Sequence, residues 1–292
     1  MSLRWQVALG SYPSTRALKS GEVRSAALDL EFPDIRPVNL IFAPMVRELK
    51  YDVAEMAIAT FLQAVAYGKP LVLLPIVTAA RFQEAALFGL RDGDIAGPAD
   101  LKGRRVGVRA YSQTTGLWLR GRLAEDFGIK PADIRWTAFE GAHVQEYADP
   151  PFVRRATPRQ DMVGMLKAGE LDAVVFGADP PVDPDLRNVC ADPAAAGWAF
   201  FVKHGFVPIN HVVVARREHA KNHAAELAEF VRLFARSKAL GGGIDPYPVG
   251  RAAMAPALVM AARLAVEQGL TPRESALEEI WADSPNFEFS ST

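Results

Sequence analysis

Short apolar runs with strand character alternate with segments of helical periodicity along the whole chain. Runs rich in Val, Ile and Leu predict eight strands, at 6–9, 28–32, 53–58, 71–77, 104–110, 134–139, 171–176 and 211–216. Apolar positions three and four residues apart predict helices at 42–50, 59–66, 115–127 and 159–168, followed by three longer helices near the C-terminus. This alternation is typical of sheets covered by helices on both faces, so the sequence predicts an α/β fold.

A change of composition divides the chain after its first third. The segment 92–103 is rich in Gly, Pro and Asp, and a new strand pattern begins directly after it. A chain of 292 residues, half of them hydrophobic, is long enough to bury two ordinary cores without a disulfide or a metal. We therefore predict two domains, with a boundary between residues 103 and 104.

The charge pattern narrows the class of partner. The 33 basic and 34 acidic residues are spread along the chain and give a formal net charge of -1. This balance argues against binding to nucleic acid or to an anionic membrane, so we expect a small-molecule partner and leave a homo-oligomer open. The single cysteine, Cys190, cannot form an internal disulfide, and the N-terminal residues lack a signal-peptide pattern, so we expect a cytoplasmic location.

A hydroxyl-rich turn, Tyr-Ser-Gln-Thr-Thr-Gly over residues 111–116, connects a predicted strand to a predicted helix. A helix start offers backbone N–H groups and the positive end of the helix dipole, to which this turn adds side-chain donors. The turn therefore predicts a binding site for a carboxylate or a phosphate. The alternative is ordinary capping of the helix by Ser112 or Thr114.

Several titratable residues are candidates for chemistry. His211 lies at the entry to a very apolar strand, where a general-acid or ligand-orienting role competes with that of a core histidine bonded to backbone. Glu55 is embedded in an apolar strand pattern, where burial would raise its pKa towards a range useful for proton transfer, unless this is an edge strand with Glu55 at the surface. His219 and His223, with Glu226 beyond them, favour a solvated helix face over a metal site.

Two stretches, Asp100-Leu-Lys-Gly-Arg-Arg-Val-Gly-Val108 and Leu166-Lys-Ala-Gly-Glu-Leu-Asp-Ala-Val174, resemble segments that recur in the type II periplasmic-binding-protein fold. Within that fold the chain resembles the 4,5-dihydroxyphthalate decarboxylase group, through segments 51–55, 98–103, 111–121, 133–136 and 208–214. The resemblance implies two α/β lobes with a ligand in the cleft between them. Lobe 1 would comprise residues 1–103 and 211–292, and lobe 2 residues 104–210.

The resemblance also implies an activity and a set of site residues. The activity is that of a carboxy-lyase of aromatic compound degradation, which protonates the ring of a 4,5-dihydroxyphthalate-like acid and releases CO2 without an organic cofactor, with a divalent metal left open. Proton delivery falls to His211, with Glu55 as the second candidate. The residues expected to anchor the substrate are Tyr111, Ser112, Thr114, Thr115, Arg81 and Arg109. The alternative is a solute-binding protein for a small carboxylate, either cytoplasmic or periplasmic with a mis-assigned start.

One segment departs from the pattern of that group. Where the group tends to carry an Arg-Xaa-Phe-Arg-His run, this chain reads Thr78-Ala-Ala-Arg-Phe-Gln-Glu84, so that Gln83 and Glu84 replace a basic pair. This departure argues against recognition of a doubly charged phthalate, while Arg81 still supplies one cation.

Overall fold

The computed structural model describes residues 3–242 and 247–287. Within these ranges the strands, in chain order, are β1 (Leu3–Ala8), β2 (Leu28–Glu31), β3 (Val53–Ala57), β4 (Leu71–Ala80), β5 (Leu87–Leu90), β6 (Arg105–Val108), β7 (Arg135–Ala138), β8 (Val153–Arg155), β9 (Ala173–Val175), β10 (Leu186–Asn188) and β11 (Ile209–Arg216). The α-helices are α1 (Pro13–Lys19), α2 (Phe42–Glu48), α3 (Ile58–Ala66), α4 (Thr114–Phe127), α5 (Met162–Lys167), α6 (Pro193–His204), α7 (Arg217–Asn222), α8 (Ala224–Gly241), α9 (Arg251–Glu267) and α10 (Leu277–Ile280). Each of the eight predicted strands overlaps one of these strands, so the predicted α/β alternation is confirmed.

The chain forms two compact units. The first unit comprises the described residues of Met1–Arg81, Ile209–Ala262 and Ser275–Thr292. The second unit comprises Phe82–Pro208 and Arg263–Glu274. Each unit contains its own sheet.

The first unit is built on a five-stranded sheet of order β2-β1-β3-β11-β4. β1 is parallel to both of its neighbours, whereas β11 is antiparallel to β3 and β4. Every residue of β3 is buried, as expected for a central strand covered on both faces. Pro75 lies within β4 at the edge of this sheet, where a missing backbone N–H is tolerated.

One face of this sheet carries a large apolar core. Val53 of β3 and Val213 of β11 contribute to it, together with Phe230 and Phe234 of α8. α1 packs against α8 over the same cluster. Because alternate residues of a strand share a face, Glu55 points to the same side of β3 as Val53. The fold therefore places this carboxylate beside an apolar core.

The second unit is built on a six-stranded sheet of order β10-β5-β9-β6-β7-β8. β6 is parallel to β7 and β9, and β7 is parallel to β8, whereas β5 is antiparallel to both of its neighbours. Leu166 of α5 packs in a buried cluster with Leu171, Val174 and Leu186. α4 follows β6 directly, after a turn of five residues.

The units divide the chain at other positions than the sequence predicted. Residues 82–103, assigned by the prediction to lobe 1, group with the second unit because β5 pairs with β9 and β10. Residues 263–274 group with this unit too, and Gly121 of α4 permits close packing there, since a Cβ at Gly121 would lie 2.6 Å from Cδ1 of Leu264. Both associations depend on contacts distant in sequence, which a local composition change does not reveal.

The C-terminal helices also differ from the prediction. The described residues after β11 contain two long helices, α8 and α9, and two short ones, α7 and α10, where three long helices were expected. α7 and α8 are separate because His223 between them leaves the helical conformation, with φ -138° and ψ 41°.

Candidate functional site

The pairing of β3 with β11 brings Glu55 and His211 together in the first unit. Val213 is the direct cross-strand partner of Glu55, and His211 is the partner of Ala57. His211 is therefore a diagonal neighbour of Glu55 on the same face of the sheet. Two residues that are 156 positions apart in the chain become adjacent through this register.

The Glu55 carboxylate accepts three hydrogen bonds. Nδ1 of His211 lies 2.7 Å from Oε1, and the Tyr12 hydroxyl donates to the same oxygen over 2.8 Å. The backbone N–H of Gly10 donates to Oε2 over 2.8 Å. The Glu55 side chain is fully buried, so these donors replace the water that an exposed carboxylate would bind.

The loop between β1 and α1 is shaped to supply two of these donors. Thr15 accepts a hydrogen bond from the Tyr12 N–H over 2.9 Å, and its hydroxyl donates to the Gly10 carbonyl over 2.8 Å. A Cβ at Gly10 would lie 2.4 Å from the Tyr12 ring, so a glycine is needed for the ring to reach Glu55. No sequence pattern predicted Tyr12 or Gly10 as site residues.

The predicted direction of the Glu55 pKa shift was wrong. Burial alone raises the pKa, as expected, but the hydrogen bond and the charge of His211 lower it, as do the bonds from Gly10 and Tyr12. Together these interactions hold the pKa of Glu55 below its ordinary value of 4.5. Burial and the nearby negative charge of Glu55 raise the pKa of Tyr12 instead. Glu55 is therefore the ionised acceptor and Tyr12 a protonated donor at neutral pH.

The protonation of Glu55 determines how His211 is held. An ionised carboxylate only accepts hydrogen bonds, so Nδ1 of His211 carries the proton in this contact. Its other ring nitrogen, Nε2, forms no hydrogen bond with any residue in 3–242 or 247–287. The side chain is 17% exposed, and its ring meets Phe42 edge-on at a centroid distance of 5.1 Å. Nε2 is thus available to a ligand.

Arg81 is the third predicted site residue of the first unit. It follows β4, whose last residue, Ala80, pairs with Ile209 of β11. The positive charge of Arg81 acts on the Tyr12 hydroxyl and lowers the pKa of Tyr12, against the larger effects of burial and Glu55. Arg81, Tyr12, Glu55 and His211 therefore belong to one electrostatic neighbourhood.

The hydroxyl-rich turn lies at the start of α4 in the second unit. Ser112, Thr114 and Thr115 are all buried, and the N-cap residue is Gln113. The Gln113 side chain makes no capping hydrogen bond, and Leu117 N–H donates to the Gln113 carbonyl over 3.0 Å. The N-cap position is thus held by Gln113 and not by Ser112 or Thr114, and the first turn of α4 has the dipole of a helix start.

Two of the predicted anchors have other partners. The Tyr111 ring is buried, and its hydroxyl donates to the Gln268 carbonyl over 3.1 Å. Arg109 forms an ion pair with Glu140, at 2.6 Å between Nη1 and Oε2. Tyr111 thus supports the turn from within rather than presenting a polar group to a ligand, and the charge of Arg109 is already balanced.

A buried arginine under the turn was also missed. Arg120, 1% exposed, donates from Nε to Gln268 Oε1 and from Nη2 to the Tyr111 carbonyl, both over 2.7 Å. The sequence gave a partial indication, because residues four apart in a helix share a face and Arg120 lies four residues after Gly116. Arg120 thereby reaches back to the first turn of α4.

Within residues 3–242 and 247–287, no group of three or more His, Cys, Asp or Glu side chains is arranged to hold a metal ion. No helix in the same ranges has the length and apolar character needed to cross a bilayer.

Comparison with curated proteins gives two relatives of the same description. A 4,5-dihydroxyphthalate decarboxylase of Pseudomonas putida is 30% identical over 211 residues, which cover 67% of this chain and 81% of that protein. A 4,5-dihydroxyphthalate decarboxylase of Comamonas testosteroni is 27% identical over 256 residues, covering 82% and 76%. No protein-family model matches the chain.

Comparison with solved structures identifies the fold. The periplasmic aliphatic sulphonate binding protein SsuA of Escherichia coli matches with a TM-score of 0.65 and 16% identity, covering 100% of this chain and 94% of that one. The alkanesulfonate-binding protein SsuA of Xanthomonas axonopodis pv. citri, bound to MOPS, matches with a TM-score of 0.60 and 14% identity, covering 96% and 98%. The chain therefore has a periplasmic-binding-protein fold, as predicted.

Proposed function

Because the chain belongs to the 4,5-dihydroxyphthalate decarboxylase family, we propose that it is a decarboxylase of hydroxylated aromatic carboxylic acids, with 4,5-dihydroxyphthalate as the first substrate to test. The observation that carries the proposal is the buried Glu55–His211 pair, which leaves Nε2 of His211 available. A histidine held in this way is suited to general acid catalysis.

The proposed reaction needs one proton and no change in oxidation state of the protein. The protonated His211 gives the proton on Nε2 to the ring carbon that bears the carboxylate, and a C–H bond forms there. The bond between ring and carboxylate then breaks, its electron pair restores the aromatic ring, and CO2 leaves. From 4,5-dihydroxyphthalate the product is 3,4-dihydroxybenzoate, and solvent reprotonates the neutral imidazole.

Glu55 supports this step without contacting the substrate. Its negative charge stabilises the imidazolium form of His211, and the hydrogen bond to Nδ1 fixes the orientation of the ring. Tyr12 and Gly10 hold the carboxylate in the ionised form by donating to both of its oxygens. The hydroxyl groups of the substrate make its ring electron-rich, so we propose no organic cofactor.

The anchoring of the substrate carboxylate falls to the start of α4 and to Arg81. Ser112, Thr114 and Thr115 place hydroxyl groups at a helix N-terminus, where an anion is stabilised. Arg81 belongs to the neighbourhood of Tyr12 and Glu55 and can pair with a second negative group. Tyr111, whose hydroxyl is bound to the Gln268 carbonyl, and Arg109, which is paired with Glu140, are not part of this proposal.

The substrate range follows from the replaced basic pair. Gln83 and Glu84 are both buried in the second unit, and Oε1 of Glu84 lies 3.5 Å from Nε of Arg122. These positions supply no cation, so we propose that 2,3- and 2,4-dihydroxybenzoate, which carry one carboxylate, are accepted as well as the phthalate.

The test is an assay of the purified protein with 4,5-dihydroxyphthalate, 2,3- and 2,4-dihydroxybenzoate, and unsubstituted phthalate as the control. We expect CO2 release from at least one hydroxylated acid and none from phthalate, whose ring is not electron-rich. Thermal stabilisation by these acids without CO2 release would instead support a solute-binding protein and contradict the proposal.

A further inference from the structure

Arg120 is a fully buried cation of the second unit, and no described residue forms an ion pair with it. Only 1% of the residue is exposed, and no carboxylate in residues 3–242 or 247–287 forms an ion pair with it. The carboxylate that acts on its pKa is that of Asp149, which itself pairs with Arg155 at 2.6 Å. A guanidinium stays charged in proteins, so this site holds a buried and locally unbalanced positive charge.

The hydrogen bonds of Arg120 fix its position but do not use all of its donors. Nε is bound to Gln268 and Nη2 to the Tyr111 carbonyl, and the guanidinium lies over the Tyr111 ring at 4.0 Å. Nη1 is buried and has no hydrogen-bond partner among the described residues. A buried charged donor without a partner is costly, and native proteins rarely retain one without a purpose.

The unused donor lies beside the first turn of α4. A Cβ at Gly116, the third residue of that helix, would lie 2.7 Å from Nη1. Gly116 therefore leaves the space in which Nη1 sits, while Nη2 holds the carbonyl of Tyr111 at the other end of the turn. Arg120 thus spans the whole hydroxyl-rich turn from beneath.

Two positive features consequently meet at one place. The first is the positive end of the α4 dipole, and the second is the Arg120 guanidinium that lies along the same turn. The positive end of the dipole and the guanidinium repel each other, and a bound negative group would relieve this repulsion. We propose that Arg120 is the built-in counter-charge for one carboxylate group of the ligand, bound at Ser112–Gly116. This inference rests on the proposed function in that it concerns the anchoring turn of the same protein.

Arg120 is a positioning residue in this proposal, because it acts through the turn rather than by contact with the reacting carbon. Its contribution should appear in the affinity for the carboxylate and not in the affinity for the ring. Two compounds separate these quantities: 3,4-dihydroxybenzoate, and catechol, which has the same ring and hydroxyl groups without the carboxylate. The dissociation constant of catechol divided by that of 3,4-dihydroxybenzoate measures how much affinity the carboxylate adds.

The experiment is calorimetric titration of both compounds into the wild type, Arg120→Met, Arg120→Lys and Arg122→Met. Arg122 is the matched control, since it lies on the same helix but pairs with Asp126 at 2.7 Å. A hydrogen-bonded charge is worth about 1.5–3 kcal/mol, so we expect the ratio to fall roughly 10- to 100-fold in Arg120→Met. We expect partial recovery in Arg120→Lys and no change in Arg122→Met.

Gly116→Ala keeps the proposal testable if Arg120→Met does not fold. The added Cβ must displace Nη1 while the charge remains, so we expect a several-fold fall of the same ratio. An unchanged ratio in folded Arg120→Met, or in Gly116→Ala when Arg120→Met is unfolded, would overturn the proposal. So would a wild type that binds the two compounds equally or binds neither.

The proposed function fails in a different way. Carboxylate-dependent binding that needs Arg120, without CO2 release from any substrate, would support the counter-charge role of Arg120 and contradict the proposed decarboxylase activity. CO2 release with a ratio that does not depend on Arg120 would support the decarboxylase activity and contradict the counter-charge role.

Discussion

The described residues of the first unit form two pairs of a histidine and a carboxylate, at different positions along the strands β3 and β11. Asp52 precedes β3 and meets His219 of α7, with Oδ1 2.9 Å from Nε2. Glu55, within β3, meets His211 of β11 through Nδ1 at 2.7 Å. By residue type and distance alone, the two pairs are equivalent.

Their surroundings differ. Asp52 is 3.6 Å from Nη1 of Arg216 and accepts the Gln6 N–H over 2.7 Å, so its charge is shared with a permanent cation. The His219 ring is stacked on Trp5 with a centroid distance of 5.1 Å and an interplanar angle of 16°. This pair therefore ties α7 to the start of β3.

The Glu55 carboxylate has different donors. Besides His211 its hydrogen-bond donors are Tyr12 and Gly10, and both are uncharged. Because these two donors are uncharged, the negative charge of Glu55 acts mainly on His211, whose Nε2 stays available. A short distance between a histidine and a carboxylate therefore does not by itself define a catalytic pair. The remaining partners of both groups decide its role.

The largest expected effect separates the two histidines. His211→Gln removes the proposed proton donor and should lower kcat roughly 10²- to 10⁴-fold, because general acid catalysis contributes about that much. His219→Gln, the matched control, should keep kcat within about two-fold. Steady-state CO2 release measures both variants. Equal losses in the two variants would remove the distinction between the pairs.

The carboxylates should differ less strongly. Glu55→Gln keeps the shape but loses the charge that supports protonated His211, and a charged hydrogen bond is worth about 1.5–3 kcal/mol, so kcat should fall roughly 10- to 100-fold. Asp52→Asn should leave kcat near the wild-type value and lower the free energy of unfolding by about 1–3 kcal/mol. Rate assays and denaturant unfolding on the same two proteins test this, and the reverse assignment of the two losses would contradict it.

The stabilising contribution of Glu55 should depend on pH. The folded protein holds the pKa of Glu55 below 4.5, so this contribution is complete above that pH and is lost as the pH falls through the folded value. The unfolding free energy of the wild type should therefore decline relative to Glu55→Gln between about pH 5 and pH 3. If the unfolding free energy of the wild type instead rises relative to that of Glu55→Gln as the pH falls over this interval, the pKa of Glu55 is raised and the prediction is wrong.

The smallest expected effect concerns Tyr12. Tyr12→Phe removes one donor from the ionised Glu55 carboxylate, which keeps the bonds from His211 and Gly10. A hydrogen bond to a charged group is worth about 1.5–3 kcal/mol, and we expect only a part of it to reach the transition state through His211, so kcat should fall roughly 2- to 12-fold. Tyr51→Phe is a suitable control, since Tyr51 is buried in the same unit and is not a donor to Glu55. A loss of activity as large as that of His211→Gln would mean that Tyr12 itself acts on the substrate.

The sequence predicted the elements better than the contacts between them. Strand patterns located β3 and β11, and apolar neighbours identified Glu55 and His211 separately. Their contact depends on the register of two strands far apart in the chain, which no local pattern contains. The direction of the Glu55 pKa was wrong for the same reason, because the prediction considered burial without the donors.

Other errors have related causes. His219 was interpreted as part of a solvated helix face, yet it is buried against Trp5 and paired with Asp52, which is 167 residues away. Tyr12 lies in a short loop whose sequence indicates only a turn. The family resemblance identified the fold and the segment around Arg120, but the use of that arginine required its hydrogen bonds and its distance from Gly116.

In the proposed mechanism Glu55 acts through His211, and a double-mutant cycle on kcat measures this coupling. The four proteins are the wild type, His211→Gln, Glu55→Gln and the double variant, each measured for CO2 release from the same hydroxylated acid. We predict that the double variant is no slower than His211→Gln, because Glu55 has no further effect once the ring it supports is absent. A double variant slower than His211→Gln by the full factor seen for Glu55→Gln alone would show two independent contributions and contradict the account.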